Sequence, residues 1–451
     1  MKNLVLIVFF MGVGLTAQLQ AEIIVFNDDG AWNWLQDDRA IVASDHLIVG
    51  SVAAGSRDPR RKGQVEAVVY HLKTGTIHRT TLRAPITPAE QKQWHDDHIS
   101  PAFQRLPDGR VLAVYAQHGR DGKIFSRVTS PRTGFRSWED ERVFAMPTPS
   151  RVTFFNLHYL PAENAGQGRL FNFFRGLESR SMPSWADSAD AGLTWTAGNV
   201  FVQGSPKAIP YVKYANNGRD TLHFAFSEGH RVNFGNGIYH AYYRDGRLYR
   251  SDGKPIRGLQ EGLSSVGEAT RIFQADPHSI AMMSDLRLDA HGHPHLVYSV
   301  QIDTGRSRPR PIGADHRYRY ARWTGSEWRD YEIAYAGGEV HAVADDDCTG
   351  LIALDPQSLN VVYISTNADP VTGEPLVSAA DQKRHWEIYK GTTLDGGAKW
   401  TWAPLTRHSL HDNIRPIVPT GPRGKVVVLW LRGEMRMPND YTLSVVGLIS
   451  D

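Results

Sequence analysis

A chain of 451 residues, 41% hydrophobic and 10% aromatic, has the material for a large buried core, and its length fits one large all-β domain or two to three ordinary ones. With 50 basic against 48 acidic residues, a formal charge of +2 and no long run of either sign, the composition argues against nucleic-acid and membrane-surface partners. A single cysteine, Cys348, excludes an internal disulfide, so stability must come from packing.

The chain opens with MKNLVLIVFFMGVGLTAQLQAE, in which Lys2 precedes an apolar run from Leu4 to Leu15 and Ala21 offers a small residue before Glu22. This pattern predicts a secretory signal peptide over residues 1–21, too short to span a bilayer, and hence a secreted or periplasmic protein. The remainder, residues 22–451, reads as one domain, expected to be a monomer.

A turn followed by an apolar, β-rich strand recurs at His46, Gly109, Gly168, Gly218, Gly292, Pro356 and Gly424, roughly 50 to 75 residues apart. Seven copies at that period predict an all-β, seven-bladed β-propeller, with the segment after Glu22 joining the carboxyl-terminal strands to close the ring. Glycine-rich turns alternate with these strands and are expected to form the outer hairpins. Two of them, Ser188 to Trp195 and Thr393 to Trp400, fit S/T-x-D-x-G-x-x-W and resemble the Asp box of BNR-repeat and sialidase-like propellers. Their Asp is expected to accept from backbone amides of the turn and their Trp to pack between blades. The stretches from Arg250 to Ala281 and from Asp303 to Asp315 read as loops or blade insertions, the second containing the basic run Gly305 to Arg310.

The chemistry gathers around Trp94 to Gly119. Pro107-Asp108-Gly109 predicts a hairpin turn, and symmetric pairing about it makes opposed residue numbers sum to about 216, placing His98 against His118. Pairing Leu160 with Arg169 in the next repeat puts Arg175 opposite Phe154 at the same rim. Two histidines beside an arginine suit β-elimination from a uronic acid. Arginine neutralises the carboxylate, and the histidines move the C5 proton and protonate the leaving oxygen. Glycoside hydrolysis needs a carboxylate pair, and Asp96 with Asp97 is disfavoured because neighbouring strand residues point to opposite faces.

The His98 hairpin, Phe-Phe-Arg175-Gly, Pro210 to Tyr214, Ser227-Glu-Gly-His230 and Tyr239 to Tyr243 together resemble the BNR-repeat polysaccharide lyases, specifically ulvan lyases. The resemblance implies cleavage of an acidic, sulfated, uronate-containing polysaccharide with an unsaturated uronyl end, using His98, His118 and Arg175. It also implies a catalytic tyrosine. Phe154 or Phe155 stands where register places it, leaving either Tyr159 or a histidine to take its part. Tyr211, Tyr214, His230 and Tyr243 are candidate sugar contacts, or else blade-packing residues. No cofactor is expected for the chemistry. A structural zinc, which the resemblance implies, would draw on His278, His341 and Cys348, with His408 or His411 as further ligand candidates. A sialidase-like hydrolase and a non-catalytic glycan-binding propeller stand as alternatives.

Overall fold

The computed structural model describes residues 22–131, 134–204, 208–229, 235–302, 315–338, 340, 349–421 and 424–450. The expected signal peptide, the basic run at 305–310, His230, His341 and Cys348 lie outside the described residues.

Each of the seven predicted repeat strands forms the second strand of a separate antiparallel sheet. Blade 1 is Ala40–Ala43, His46–Val52, Val65–His71 and Ile77–Arg83; blade 2 is Ala102–Arg105, Val111–Tyr115, Lys123–Val128 and Arg142–Ala145; blade 3 is Thr153–Leu160, Arg169–Arg175, Pro183–Ser188 and Thr196–Val200. Blades 4, 5 and 6 begin at Val212, Ser279 and Ile352. The first strands of successive blades touch one another and so line the axis. The stretch after Arg250 adds strands Pro255–Gly258 and Thr270–Phe273 to blade 4, making it six-stranded. Blade 7 takes Asp412–Ile417, Val426–Met437 and Asp440–Ser450 from the carboxyl end, and its outer strand, Ile24–Asn27, from the amino end. Ile24 pairs with Gly447, so chain closure holds the ring without a disulfide.

Alternation along each strand sends successive side chains to opposite neighbours. Leu47 and Val49 join the cluster shared with blade 7, which includes Leu429 and Val445; Ile48 joins Val111 and Ala113 of blade 2. A separate apolar cluster fills each of the seven junctions. Both Asp boxes have the expected geometry. Asp190 accepts from the Thr194 amide at 2.8 Å, Asp395 accepts from the Lys399 amide at 2.9 Å, and Trp195 is buried between blades 2 and 3.

Between the closing strand and blade 1, the chain crosses the axis. The Trp32 carbonyl accepts from Arg415 of blade 7 at 2.6 Å, the Asn33 amide donates to Asp97 at 2.9 Å, and the Gln36 carbonyl accepts from Lys213 of blade 4. Asp37 pairs with His158 at 3.1 Å, while Arg39 donates to the Phe155 carbonyl at 2.9 Å. Most of these charged and polar groups are buried, and they hold one another across the axis by hydrogen bonds and ion pairs.

Candidate active site

The site is built from a helix stop. Thr87 and Glu90 form a capping box at the start of a short helix, Pro88–Trp94, whose last residue is buried. The chain then turns through Asp96, whose Oδ1 accepts from the His98 amide at 3.0 Å, and through the single 3-10 turn Asp97–Ile99. Asp97 is fully buried; its carboxylate meets Arg415 at 2.6 Å and the Asn33 amide at 2.9 Å. That anchor fixes the turn that carries His98.

Blade 2 pairs as the sequence predicts, Ala102 with Val114 and Phe103 with Ala113. The strands begin only at Ala102 and end at Tyr115, so the two histidines meet through the turns beyond them rather than through strand pairing. Their rings stack at a centroid distance of 3.9 Å, 11° from parallel. One carboxylate serves both: Asp96 Oδ1 lies 2.5 Å from His98 Nδ1 and Asp96 Oδ2 lies 2.9 Å from His118 Nδ1. Nδ1 of His98 is also 2.9 Å from Asp97. Because a carboxylate only accepts, both rings carry a proton on Nδ1, a tautomer assigned from this network.

The two rings then differ in charge. Burial opposes the charged form of His98, but the carboxylates of Asp96 and Asp97 outweigh it and push the ring up to about 9. His118 is moved below the usual 6.5 by burial and by the positive charge on His98, against the pull of Asp96. At neutral pH His98 is an imidazolium with a proton on Nε2, and His118 is neutral with a lone pair there. His118 is the more open, its side chain 38% exposed against 11% for His98.

Arg175 ends the second strand of blade 3. Its guanidinium lies 4.6 Å from the ring centre of Tyr211 and 5.2 Å from that of Phe154, and its Nε donates to the Ser181 carbonyl at 3.1 Å. Leu160 pairs with Arg169 as predicted, but Arg175 pairs with Thr153 rather than Phe154. The difference is a bulge between Thr153 and Asn156, with Phe154 held at φ 62°. Such a backbone costs on the order of 1–3 kcal/mol in a non-glycine residue. It turns the Phe154 ring toward His98, at 5.0 Å, and His118, at 6.0 Å, and leaves Phe155 on Phe174 in the core. Phe154 thus joins the histidines to Arg175 through one apolar surface.

Tyr159 does not reach this cluster. It pairs with Leu170 and its hydroxyl donates to the Gln167 carbonyl at 3.4 Å, about 20 Å along the strand from Thr153. The bulge shifts register by one residue, which cannot bring it across. Tyr211 stands at the site, against Arg175 and 6.1 Å from Phe154. Tyr214 and Tyr243 instead pack between blades 3 and 4, on Phe173 at 4.8 Å and Phe171 at 5.4 Å. Their rings occupy interior positions, so the packing alternative holds for both.

His278 sits on an exposed turn ahead of blade 5, and with His341 and Cys348 outside the described residues the expected zinc set is not assembled by what is described. Among the described residues, Asp96, His98 and His118 are the one group with ligand atoms close enough together for a metal, within 4.8 Å. Both Nδ1 atoms there already donate to the Asp96 carboxylate, an arrangement that holds protons. The sequence offers Asp97 only as an acid to be discounted; its contact with Arg415 shows its role as an anchor. Asp97→Ala strands the Arg415 charge in the interior and is expected to cost about 3–5 kcal/mol, read from urea unfolding midpoints.

A seven-bladed propeller carrying a histidine pair and an arginine at one mouth is the class that fold and site define. Residues 60–336, more than half of the chain, match the model of a BNR repeat-containing family member, and the chain belongs to that family. No curated protein matches the chain by sequence. Among solved structures, an ulvan lyase of polysaccharide lyase family PL25, bound to -[GlcA(1-4)Rha3S]-, aligns with a TM-score of 0.65 and 15% identity over 95% of this chain and 96% of that one. A second structure of the PL25 ulvan lyase aligns at 0.65 and 16% identity with the same coverage. The polysaccharide lyase Uly1 aligns at 0.57 and 12% identity, over 92% of this chain and 90% of that one. Identities of this size establish a shared fold.

Proposed function

We propose that this protein is a polysaccharide lyase that cleaves ulvan, or a related uronate-containing polysaccharide, by β-elimination. The observation that carries this is the stacked His98–His118 pair, one ring charged and one neutral, beside an arginine whose Nη groups make no hydrogen bond among the described residues. Arg175 binds the uronate carboxylate and drains charge from it as the C5 carbanion develops. His118 Nε2 takes the C5 proton. The freed electron pair forms the C4–C5 double bond, the C4–O bond breaks, and the leaving oxygen receives the Nε2 proton of His98. Tyr211, beside Arg175, is the tyrosine placed to contact the sugar. Phe154, where the resemblance calls for a tyrosine, gives the proton work to the histidine pair. The leader at residues 1–21 supports export to the periplasm or the medium, where a monomer meets its substrate.

Neither hydrolysis by a carboxylate pair nor Asp97 chemistry is supported, because Asp97 is sealed against Arg415. Incubation with ulvan and with other uronate polysaccharides, followed at about 235 nm where an unsaturated uronate absorbs, tests elimination directly. A saturated product would replace this proposal with hydrolysis. Retention of glycan without any product would replace it with a binding propeller, for which Phe154 is the supporting observation.

The two histidines also set a pH profile. Activity needs His118 without and His98 with its Nε2 proton, so kcat/KM is expected to fall on the acid side below the usual histidine value of 6.5 and on the alkaline side near 9. Asp96→Asn removes the charge that keeps His98 protonated, and the alkaline limb is expected to move down. An unmoved limb in that variant would show that His98 is not the acid.

A further inference from the structure

Blade 6 carries a second surface, distant in the ring from blades 2 to 4. Between its outer hairpin and the loop after Thr366 runs a groove of about 610 Å³. Its floor is aromatic: Tyr389, Trp400 and Trp402, with the two indoles 6.0 Å apart and 23° from parallel. Val371 and Val377, 68% and 54% exposed, stand at its sides.

These rings have different duties. Trp400 belongs to the Asp box, donating to the Gly397 carbonyl at 2.9 Å and packing edge-on against Tyr320 at 5.3 Å. Trp402 lies over Gly391, where an added Cβ would come within 2.4 Å of its ring; the sheet is cut away beneath the indole, which therefore lies flat. Among the described residues its N–H makes no hydrogen bond. Asp369 already accepts from the Val371 and Thr372 amides at 2.9 and 2.8 Å, and Glu387 is held by Thr406 and Ser409. Both carboxylates keep their charge but are turned to protein donors, whereas Arg407, exposed at the groove, makes no ion pair among the described residues and is the charged group there open to a ligand.

We propose that this groove is a non-catalytic binding site for an acidic polysaccharide chain, with sugar faces on Trp402 and Tyr389 and a carboxylate or sulfate on Arg407. Flat aromatic rings present apolar faces and, in Trp402, a free donor at the edge, which is what the two-sided surface of a sugar ring needs. An unpaired guanidinium selects an anionic chain over a neutral one. An apolar peptide would leave Arg407 and the indole N–H without partners. The choice of ulvan as probe rests on the function proposed above. A polymer held on blade 6 is presented at raised effective concentration to the histidine site of the same molecule.

The test is electrophoresis of the full-length protein through gels containing ulvan or neutral xylan, alongside Trp402→Ala, Trp402→Phe and Arg407→Ala. Ulvan is expected to retard the wild type and xylan not to. Trp402→Ala and Arg407→Ala are expected to weaken that retardation about tenfold, with Trp402→Phe retaining most of it. Turnover of a short ulvan oligosaccharide should be unchanged in all three. Because Arg407 is exposed, its variant decides the matter even if Trp402→Ala fails to fold. Wild-type retardation in Arg407→Ala, or no retardation of the wild type, overturns the proposal. So does light scattering that shows a dimer dissolved by Arg407→Ala, which would make the groove a self-interface. Retardation without absorbance at about 235 nm would sink the lyase and leave the groove standing; the converse would sink the groove alone.

Discussion

With alanine at position 118, the rise in absorbance on incubation with ulvan is expected to slow by about 10²- to 10⁴-fold, the range that a positioned general base contributes. His118 is the neutral ring of the pair, with its lone pair on Nε2 and its Nδ1 on Asp96 at 2.9 Å. No other described side chain in the cluster offers a neutral base. Its side chain is exposed enough that its loss leaves no sealed cavity, so the thermal midpoint should hold. Tyr159→Phe is the matching control: its hydroxyl sits on the Gln167 carbonyl at the far end of the strand, and turnover should match the wild type. Wild-type turnover in His118→Ala would sink the assignment of the base. A loss in Tyr159→Phe would place the chemistry at the other rim.

Arg175→Ala is expected to lower kcat/KM by about 10²- to 10³-fold, since it removes the donors aimed at the charge that develops on the carboxylate. Arg175→Lys should recover only part of this. A lysine keeps the positive charge but loses the planar fork that meets a carboxylate at two points. The guanidinium also lies over the rings of Tyr211 and Phe154, contacts that a compact ammonium group makes less well. The informative result is the split: a raised KM with unchanged kcat would make Arg175 a binding residue only, whereas a fall in kcat ties it to the transition state.

Much of this was legible in the residues themselves. Each of the seven turn-plus-strand repeats is the second strand of a blade, because a strand buried on both faces must be apolar along its whole length and therefore announces itself. The Asp boxes were equally direct, since their hydrogen bonds are local to one turn. Hairpin register about Gly109 was also right, although the two histidines meet through the turns beyond the paired strands. Less visible was the bulge at Phe154: nothing in Thr-Phe-Phe-Asn marks one residue as extra, and the left-handed backbone there is held by the rings packed around it. The sugar-contact expectation for Tyr243 failed for a related reason, because an aromatic residue reads the same whether it faces a cleft or a neighbouring blade.

By itself the sequence determined the quantities that depend on neighbours along the chain: the repeat, the alternation that gives each blade two buried faces, the turns, and the histidine and arginine types available at strand ends. Only the tertiary structure decided how those ends meet. Asp97 finds Arg415 from 318 positions away, Asn33 reaches both the axis and the turn that carries His98, and the charge difference between His98 and His118 arises because Asp96 and Asp97 both face His98, whose charge then opposes one on His118. Charge, burial and stacking act through space and carry no signature along the chain, which is why the parts of the site could be named from the sequence while its electrostatics could not.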